Sequence, residues 1–194
     1  ERDSDRHMRR TQNRPLPAGR LDPSLARGFG LLLGLVSLPV LALGTNFVTS
    51  VLGLVALASY VGVYTPMKRR STWALVVGAV PGALPPLMGY AAVSGELGSK
   101  GVLLFALLFL WQIPHVIGLA AFRREDYVAA GIRVLPAVLG AERTRLHALG
   151  WALVLCAVSL LPYFMGWGGL PYLVCAVVLG AWFVSSTLRK NAVS

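Results

Sequence analysis

The chain has 194 residues, of which 56% are hydrophobic and 13% are charged, and its mean hydropathy is +0.66. This composition is too apolar for an ordinary soluble domain of that length and favours a membrane protein. The formal net charge of +10 lies in a few clusters that long uncharged stretches separate, as in helices that cross lipid, and no nucleic-acid partner is predicted.

The chain opens with a segment of acids and arginines, ERDSDRHMRRTQNRPLPAGR. On a helix, Glu1 and Asp5 are four residues apart and share one face, and a basic edge begins beside them at Arg6. The prolines at positions 15 and 17 are predicted to end this helix. The segment therefore presents two carboxylates and several arginines at a helix end.

Six apolar stretches approach the length of about 20 residues that a membrane-spanning helix needs. Because they lack polar faces at helical spacing, they are not typical of buried helices in a soluble protein. The predicted fold class is all-α, a multi-pass integral membrane helix bundle that forms one domain over residues 1–194. The six predicted spans are residues 28–44, 47–64, 73–93, 101–122, 148–166 and 170–188.

The basic residues predict the orientation of the bundle, because Lys and Arg near span ends stay on the cytoplasmic side. If residues 1–27 are cytoplasmic, so are the connections 65–72 and 123–147 and the tail from Arg189. These segments carry 17 of the 18 basic residues and leave Lys100 on the other side. We therefore expect the acidic motifs to face the cytoplasm. The membrane is expected to be a bacterial-type inner (cell) membrane.

A lone histidine, His115, lies within the fourth predicted span, directly after Pro114 and four residues after Trp111. A histidine in such a helix usually packs against its neighbours or makes a polar contact between helices. An ionisable group inside a membrane is nevertheless a functional candidate by default. The residues alone do not choose between these two roles.

A second acidic cluster, FRREDYVAAG, follows the fourth span and places Arg123 and Arg124 beside Glu125 and Asp126. Mg²⁺ usually binds through one or two carboxylates and substrate phosphate oxygens, and arginine makes bidentate contacts to phosphate. The residues alone leave two readings open, a diphosphate site with a metal ion or solvated loop charges. We interpret the isolated acids Asp22 and Glu142, by contrast, as charge balance.

The opening segment resembles the first acidic motif of the UbiA superfamily of intramembrane prenyltransferases. The later segment LWQIPHVIGLAAFRREDYVAAGIRVLP is similar to the second motif of the branch whose acceptor is protoheme IX. The segments YTPMKRR and GAVPGALPPLMGYAAVSG also resemble that branch, so the resemblance covers most of the chain. It implies nine spans for the family, of which six are expected here, with the chain incomplete at both ends.

The resemblance also implies roles for individual residues. Asp126 is the favoured metal ligand of the second motif, because an Asp-Tyr pair precedes Gly-Ile in the family pattern as it does here. The implied metal ligands are Glu1, Asp5, Glu125 and Asp126. The implied substrate-binding residues are Arg10, Arg14, Tyr64, Lys68, Trp111, His115 and Arg123. The implied catalytic residues are Asp126, His115 and Lys68.

Two features of the matching segments lie outside these roles. Arg69 and Arg70, which follow Lys68, we interpret as topology signals. Where the family reads GIPMLP, this chain reads GIRVLP, so that Arg133 stands in place of a proline. This departure affects the expected shape of the loop but not the expected metal site.

The resemblance implies transfer of a farnesyl group from farnesyl diphosphate to a vinyl group of heme B, which gives heme O. Mg²⁺ is the implied cofactor, and the implied partners are the two substrates, the lipid bilayer and a heme A synthase. His115 would contact the heme, ligate its iron or accept a proton. The alternatives are a UbiA-type enzyme with another acceptor, such as 4-hydroxybenzoate, and a membrane protein or fragment without catalysis.

Overall fold

The computed structural model describes residues 2–188, and this part of the chain is helical without a strand. Six helical segments, of which two, Phe47–Met67 and Leu135–Phe164, combine consecutive helices, are long and apolar enough to cross a membrane, which confirms the predicted all-α membrane fold. In chain order the helices are α1 (Arg2–Asp5), α2 (Pro23–Gly44), α3 (Phe47–Ala58), a π-helical turn (Ser59–Tyr64), α4 (Thr65–Met67), α5 (Ala74–Ser94), α6 (Ser99–Phe122), α7 (Arg124–Ala129), α8 (Leu135–Ser159), α9 (Leu161–Phe164) and α10 (Leu170–Leu188).

The opening segment folds differently from its predicted form. The prediction of a helix that continues to the prolines is wrong, because α1 ends at Asp5. The Thr11 hydroxyl donates to the Asp5 carbonyl oxygen at 2.8 Å, and Arg6 Nε donates to the Pro17 carbonyl oxygen at 2.9 Å. These side-chain donors compete with helical hydrogen bonding, so the following arginines lie in turns rather than along a helix edge. Glu1 lies outside the described residues.

Asp22 fixes the start of the first span. Its carboxylate accepts hydrogen bonds from the backbone N–H groups of Ser24 at 2.7 Å and Leu25 at 3.3 Å. Pro23 follows at the first helical position, where its missing N–H costs nothing. The hydrogen bonds from Ser24, and the one from Leu25, hold the pKa of Asp22 below its ordinary value. Asp22 is therefore a helix cap, a role that the interpretation as charge balance did not include.

The fifth span begins well before its apolar stretch at residue 148. α8 starts at Leu135, with Pro136 in its first turn, and passes through a non-helical Gly140 whose φ is 76°. That φ lies in the left-handed region, which glycine adopts without strain. The predicted connection 123–147 is therefore largely helical, since α7 and the first part of α8 occupy it.

The long helices pack on one another in chain order: α2 on α3, α3 on α5, α5 on α6, α6 on α8 and α8 on α10. Small residues occupy the tightest contacts, and Ala83, Ala91 and Ala152 have no exposed surface. Ile113 and Ile117 are at the centre of a cluster that joins α5, α6 and α8. Close contacts of this kind hold spans together in lipid, where apolar surface alone gives no driving force.

The basic residues gather at one end of the bundle, which we call the basic end. There Arg69 contacts Ser4, and Arg133 contacts the backbone of Arg70. The opening segment, the α4–α5 connection and the segment after α7 therefore meet. At the other end, the Lys100 ammonium lies 5.7 Å from the ring of Trp167. The cytoplasmic location of the basic end remains a prediction.

Candidate functional site

In the first acidic segment, at the basic end, the carboxylate of Asp5 is largely buried. The Asp5 side chain is 15% exposed, and its Oδ2 lies 3.3 Å from Arg14 Nη1. Asp3 is well exposed and pairs with Arg2 at 3.2 Å; the hydrogen bond from Arg2, with its positive charge, holds the pKa of Asp3 below its ordinary value. Arg10 is exposed. The structure thus brings together the predicted residues Asp5 and Arg14.

Three consecutive residues, Lys68–Arg70, contact both acidic segments, and we call them the bridging loop. Arg69 Nε donates to the buried hydroxyl of Ser4 at 3.0 Å, and its Nη2 contacts the same oxygen. On the other side, Arg133 Nη1 donates to the Arg70 carbonyl oxygen at 3.2 Å. The residues interpreted as topology signals therefore also hold the bridging loop against both segments.

The second acidic segment consists of α7 and its flanking residues. Asp126 is half-buried and Glu125 is exposed, while the buried Nε of Arg123 has no hydrogen-bond partner within the described residues. Among residues 2–188, no three His, Cys, Asp or Glu side chains form a group that could hold a metal ion. Mg²⁺ needs only one or two carboxylates besides phosphate oxygens. The half-buried carboxylates of Asp5 and Asp126 fit that donor chemistry.

A small cavity, which we call the cationic cavity, opens beside the bridging loop. Its volume is about 90 Å³, and its polar wall includes Lys68, Arg133, Tyr64 and Tyr127. None of the described residues that line it is acidic. A cleft lined by charges of one sign concentrates their field on the opposite charge, so the cationic cavity favours an anionic group.

A larger cavity, which we call the apolar cavity, adjoins it inside the bundle. It lies between the π-helical turn, α5 and α6, and its volume is about 520 Å³, within the range of roughly 300–1,000 Å³ typical of small-molecule sites. Tyr64, Leu75 and Val116 line both cavities. The two cavities therefore share part of their wall, the smaller at the basic end and the larger inside the bundle, and this arrangement suits an amphiphile with an anionic head.

Backbone features make room for the side chains of these cavities. The π-helical turn Ser59–Tyr64 is a rare geometry that is frequent at functional sites, and its two tyrosine rings lie 5.2 Å apart. On α5, a Cβ at Gly78 would lie 2.7 Å from the Tyr64 ring, and a Cβ at Gly82 would overlap the Gln112 amide. These glycines, one helical turn apart, let Tyr64 and Gln112 approach the α5 backbone.

Replacing Gly78 by alanine should therefore destabilise the protein. The Tyr64 ring would have to move away from α5, and overpacking of this kind typically costs about 1–3 kcal/mol. We expect Gly78→Ala to lower the melting temperature in detergent. Gly89→Ala, on the same helix, is the matched control, because nothing lies within 4 Å of its added Cβ and alanine favours a helix. Equal melting temperatures for the two variants would contradict the tight contact.

His115 and Trp111 lie on another side of α6. Their rings stack with centroids 4.6 Å apart and an interplanar angle of 12°. His115 lines a groove of about 360 Å³ between α6, α8 and α10, which we call the histidine groove, and Trp111 lines a neighbouring groove of about 440 Å³. Phe183 borders both grooves. The predicted substrate-binding residues are thus divided, with Tyr64 and Lys68 at the joined cavities and the stacked pair at the grooves.

Sequence reasoning missed several residues that line the joined cavities. Tyr60 precedes Tyr64 by four residues, and this spacing, which places side chains on one helix face, could have indicated it. Tyr127 and Gln112 stand inside the quoted motifs but were given no role. Arg133 reaches its partner across 63 positions of the chain, a contact that no local spacing indicates.

Comparison with known proteins agrees with these features. The chain matches the UbiA prenyltransferase family over residues 1–192. Three relatives named protoheme IX farnesyltransferase are those of Myxococcus xanthus (50% identical, over 95% of this chain and 63% of the relative), Sorangium cellulosum (49%, over 94% and 65%) and Anaeromyxobacter sp. (51%, over 93% and 61%). The chain thus spans less than two thirds of their length, and no solved structure matches it. With a family match over nearly its whole length, the chain belongs to the UbiA prenyltransferase family.

Proposed function

We propose that the full-length protein that contains this chain transfers a farnesyl group from farnesyl diphosphate to a vinyl group of heme B, which gives heme O. The name of the relatives, protoheme IX farnesyltransferase, supports both the donor and the acceptor. The observation that carries the proposal is the joined pair of cavities, one cationic and one apolar. A prenyl diphosphate needs both, the first for its anionic head and the second for its chain.

The residues of these cavities suit ionisation of an allylic diphosphate. The diphosphate leaves with the electron pair of its C–O bond, and Lys68 in the wall of the cationic cavity stabilises that charge, together with Arg14 elsewhere at the basic end. Such stabilisation is stronger in a site that excludes bulk water. The vinyl group then supplies its π electrons to the new C–C bond, and water adds to the cation beside the porphyrin with loss of a proton. The apolar wall keeps water from the farnesyl cation before this step.

A divalent cation is part of the proposal, and Mg²⁺ suits the available oxygen donors. Asp5 and Asp126 are the proposed ligands within the described residues, together with the exposed Glu125 and with Glu1. When bound, Mg²⁺ supplies positive charge that neutralises the leaving diphosphate. The ion pair of Arg14 with Asp5 at 3.3 Å keeps one carboxylate next to a second phosphate-binding group.

The heme is proposed to bind against His115 and Trp111, which lie on another side of α6 from the joined cavities, so transfer requires its vinyl edge to extend past α6 to the farnesyl diphosphate. The histidine groove has an apolar wall on α6 and α10 that includes Leu119, Phe122 and Phe183, and the stacked pair offers an aromatic face and an imidazole. Contact, iron ligation and proton acceptance all remain candidate roles for His115. The basic end is proposed to face the cytoplasm of a bacterial-type inner membrane, and a heme A synthase partner remains a prediction.

The direct test is product formation in membranes that contain the full-length protein. With farnesyl diphosphate, Mg²⁺ and heme B, we expect a product with the mass of heme B plus one farnesyl group and one hydroxyl group. Chelation of Mg²⁺ should stop its formation. Prenylation of 4-hydroxybenzoate instead of heme would move the proposal to another acceptor, and absence of any prenylated product would overturn it.

A further inference from the structure

We propose that Arg133 is a further diphosphate-binding residue, which forms with Lys68 a two-cation pocket for the head of the prenyl donor. This inference rests on the proposed function and deepens it. The sequence motifs give Arg133 no role, so the inference adds a substrate contact that they do not provide.

The position of Arg133 is the first argument. It lines the cationic cavity together with Lys68 and Tyr127, and that cavity shares three wall residues with the apolar cavity. A prenyl chain in the apolar cavity therefore has its head group next to these residues. Because the head group is a diphosphate, the adjacent cations bind it rather than repel it.

The charges around Arg133 are the second argument. It makes no ion pair with any carboxylate among residues 2–188, where the ion pairs are Arg2–Asp3 and Arg14–Asp5. Lys68 lines the same cavity of about 90 Å³. Two like charges in such a cleft raise its affinity for an anion. A diphosphate in the cavity would bring negative charge next to Arg133, which pairs with no carboxylate among residues 2–188.

The anchoring of Arg133 is the third argument. One of its five N–H donors is used by the Arg70 carbonyl oxygen at 3.2 Å. This contact holds the guanidinium at the bridging loop and leaves its other donors for the bidentate contacts that guanidinium makes to phosphate. Because the side chain is already positioned, less rotamer entropy is lost when the anion binds.

The test measures binding of a non-reactive farnesyl diphosphate analogue, with a methylene bridge between the phosphorus atoms, to the full-length protein with Mg²⁺. Arg133→Gln removes the charge and keeps an amide donor for the Arg70 carbonyl oxygen. We expect it to weaken binding about 10- to 100-fold, as for loss of a hydrogen bond to a charged group. Farnesol, which has no diphosphate, should bind as it does to the unchanged protein.

Arg143→Gln is the matched control, because it removes the same charge. Arg143 is exposed on α8 and lines none of the cavities or grooves described above. If Arg133→Gln binds the analogue as Arg143→Gln does, the proposal is overturned. Weaker farnesol binding together with a lower melting temperature would also overturn it, since that pattern indicates that Arg133 stabilises the fold. If the unchanged protein does not bind the analogue, the proposed function itself fails.

Arg133→Lys is the second variant, for the case in which Arg133→Gln does not fold. Lysine keeps the charge but has no guanidinium fork, so it should bind the analogue several-fold more weakly than Arg143→Lys does. Equal affinities of these two variants would overturn the bidentate contact. Neither comparison depends on turnover, so the result is independent of which acceptor the enzyme uses.

Discussion

Asp126→Asn in the full-length protein should lower the rate of Mg²⁺-dependent heme O formation at least about 100-fold. Loss of a group that only hydrogen-bonds to a metal ligand typically lowers metal affinity or activity 10- to 100-fold, and loss of a ligand itself should lower it further. Asparagine keeps the shape of the side chain and removes its charge. Asp126 lies in α7 at the basic end, outside the long helices, so membrane insertion should be unchanged. The measurement is the rate at saturating substrates over a titration of Mg²⁺.

Glu142→Gln is the matched control for this experiment. Glu142 is an exposed acid in α8 that lines none of the described cavities, and its loss changes the net charge by the same amount. The control should keep the activity of the unchanged protein. If Asp126→Asn keeps it as well at saturating substrate, Asp126 has no part in the mechanism.

His115→Ala should weaken binding of heme, by about 10-fold or more, and leave binding of the farnesyl diphosphate analogue unchanged. The structure gives the reason, since His115 stacks on Trp111 at the histidine groove, whereas Lys68 and Arg133 line the cationic cavity. A tenfold loss corresponds to about 1.4 kcal/mol. The measurement is paired, with both affinities and the melting temperature obtained on the same variant.

A purely structural histidine would give a different pattern. Loss of a polar contact between helices costs roughly 0.6–2 kcal/mol in membrane proteins, so the melting temperature and both affinities would decrease together. His147→Ala, an exposed histidine on α8 outside the histidine groove, is the control for loss of an imidazole. Parallel losses in His115→Ala, or none, would assign His115 to packing.

Hydropathy was sufficient to predict the membrane helices, because a span must satisfy its own backbone hydrogen bonds and is therefore marked by continuous apolar sequence. The helix ends are set by other interactions. The first long helix begins where Asp22 caps it, and α8 continues far into charged sequence, beyond its apolar part. Apolar stretches therefore give the number of spans more accurately than their bounds.

Local motifs indicated candidate site residues that are close in sequence, but not the contacts between distant segments. The spacing of Glu1 and Asp5 predicted a continuous helix, but Thr11 and Arg6 instead bond to backbone carbonyls and fold the segment into turns. Arg133 appeared only as a departure from a motif. Its role depends on a contact with the bridging loop that tertiary structure creates.

The bridging loop also limits how this region can change in evolution. Surface connections ordinarily tolerate insertions and deletions. Here, however, Lys68 lines the cationic cavity, Arg69 reaches Ser4 and the Arg70 carbonyl receives Arg133. One added residue would move at least one of these three groups away from its partner. The length of this connection is therefore as much a part of the site as its side chains, and natural variation here should be by substitution rather than by a change in length.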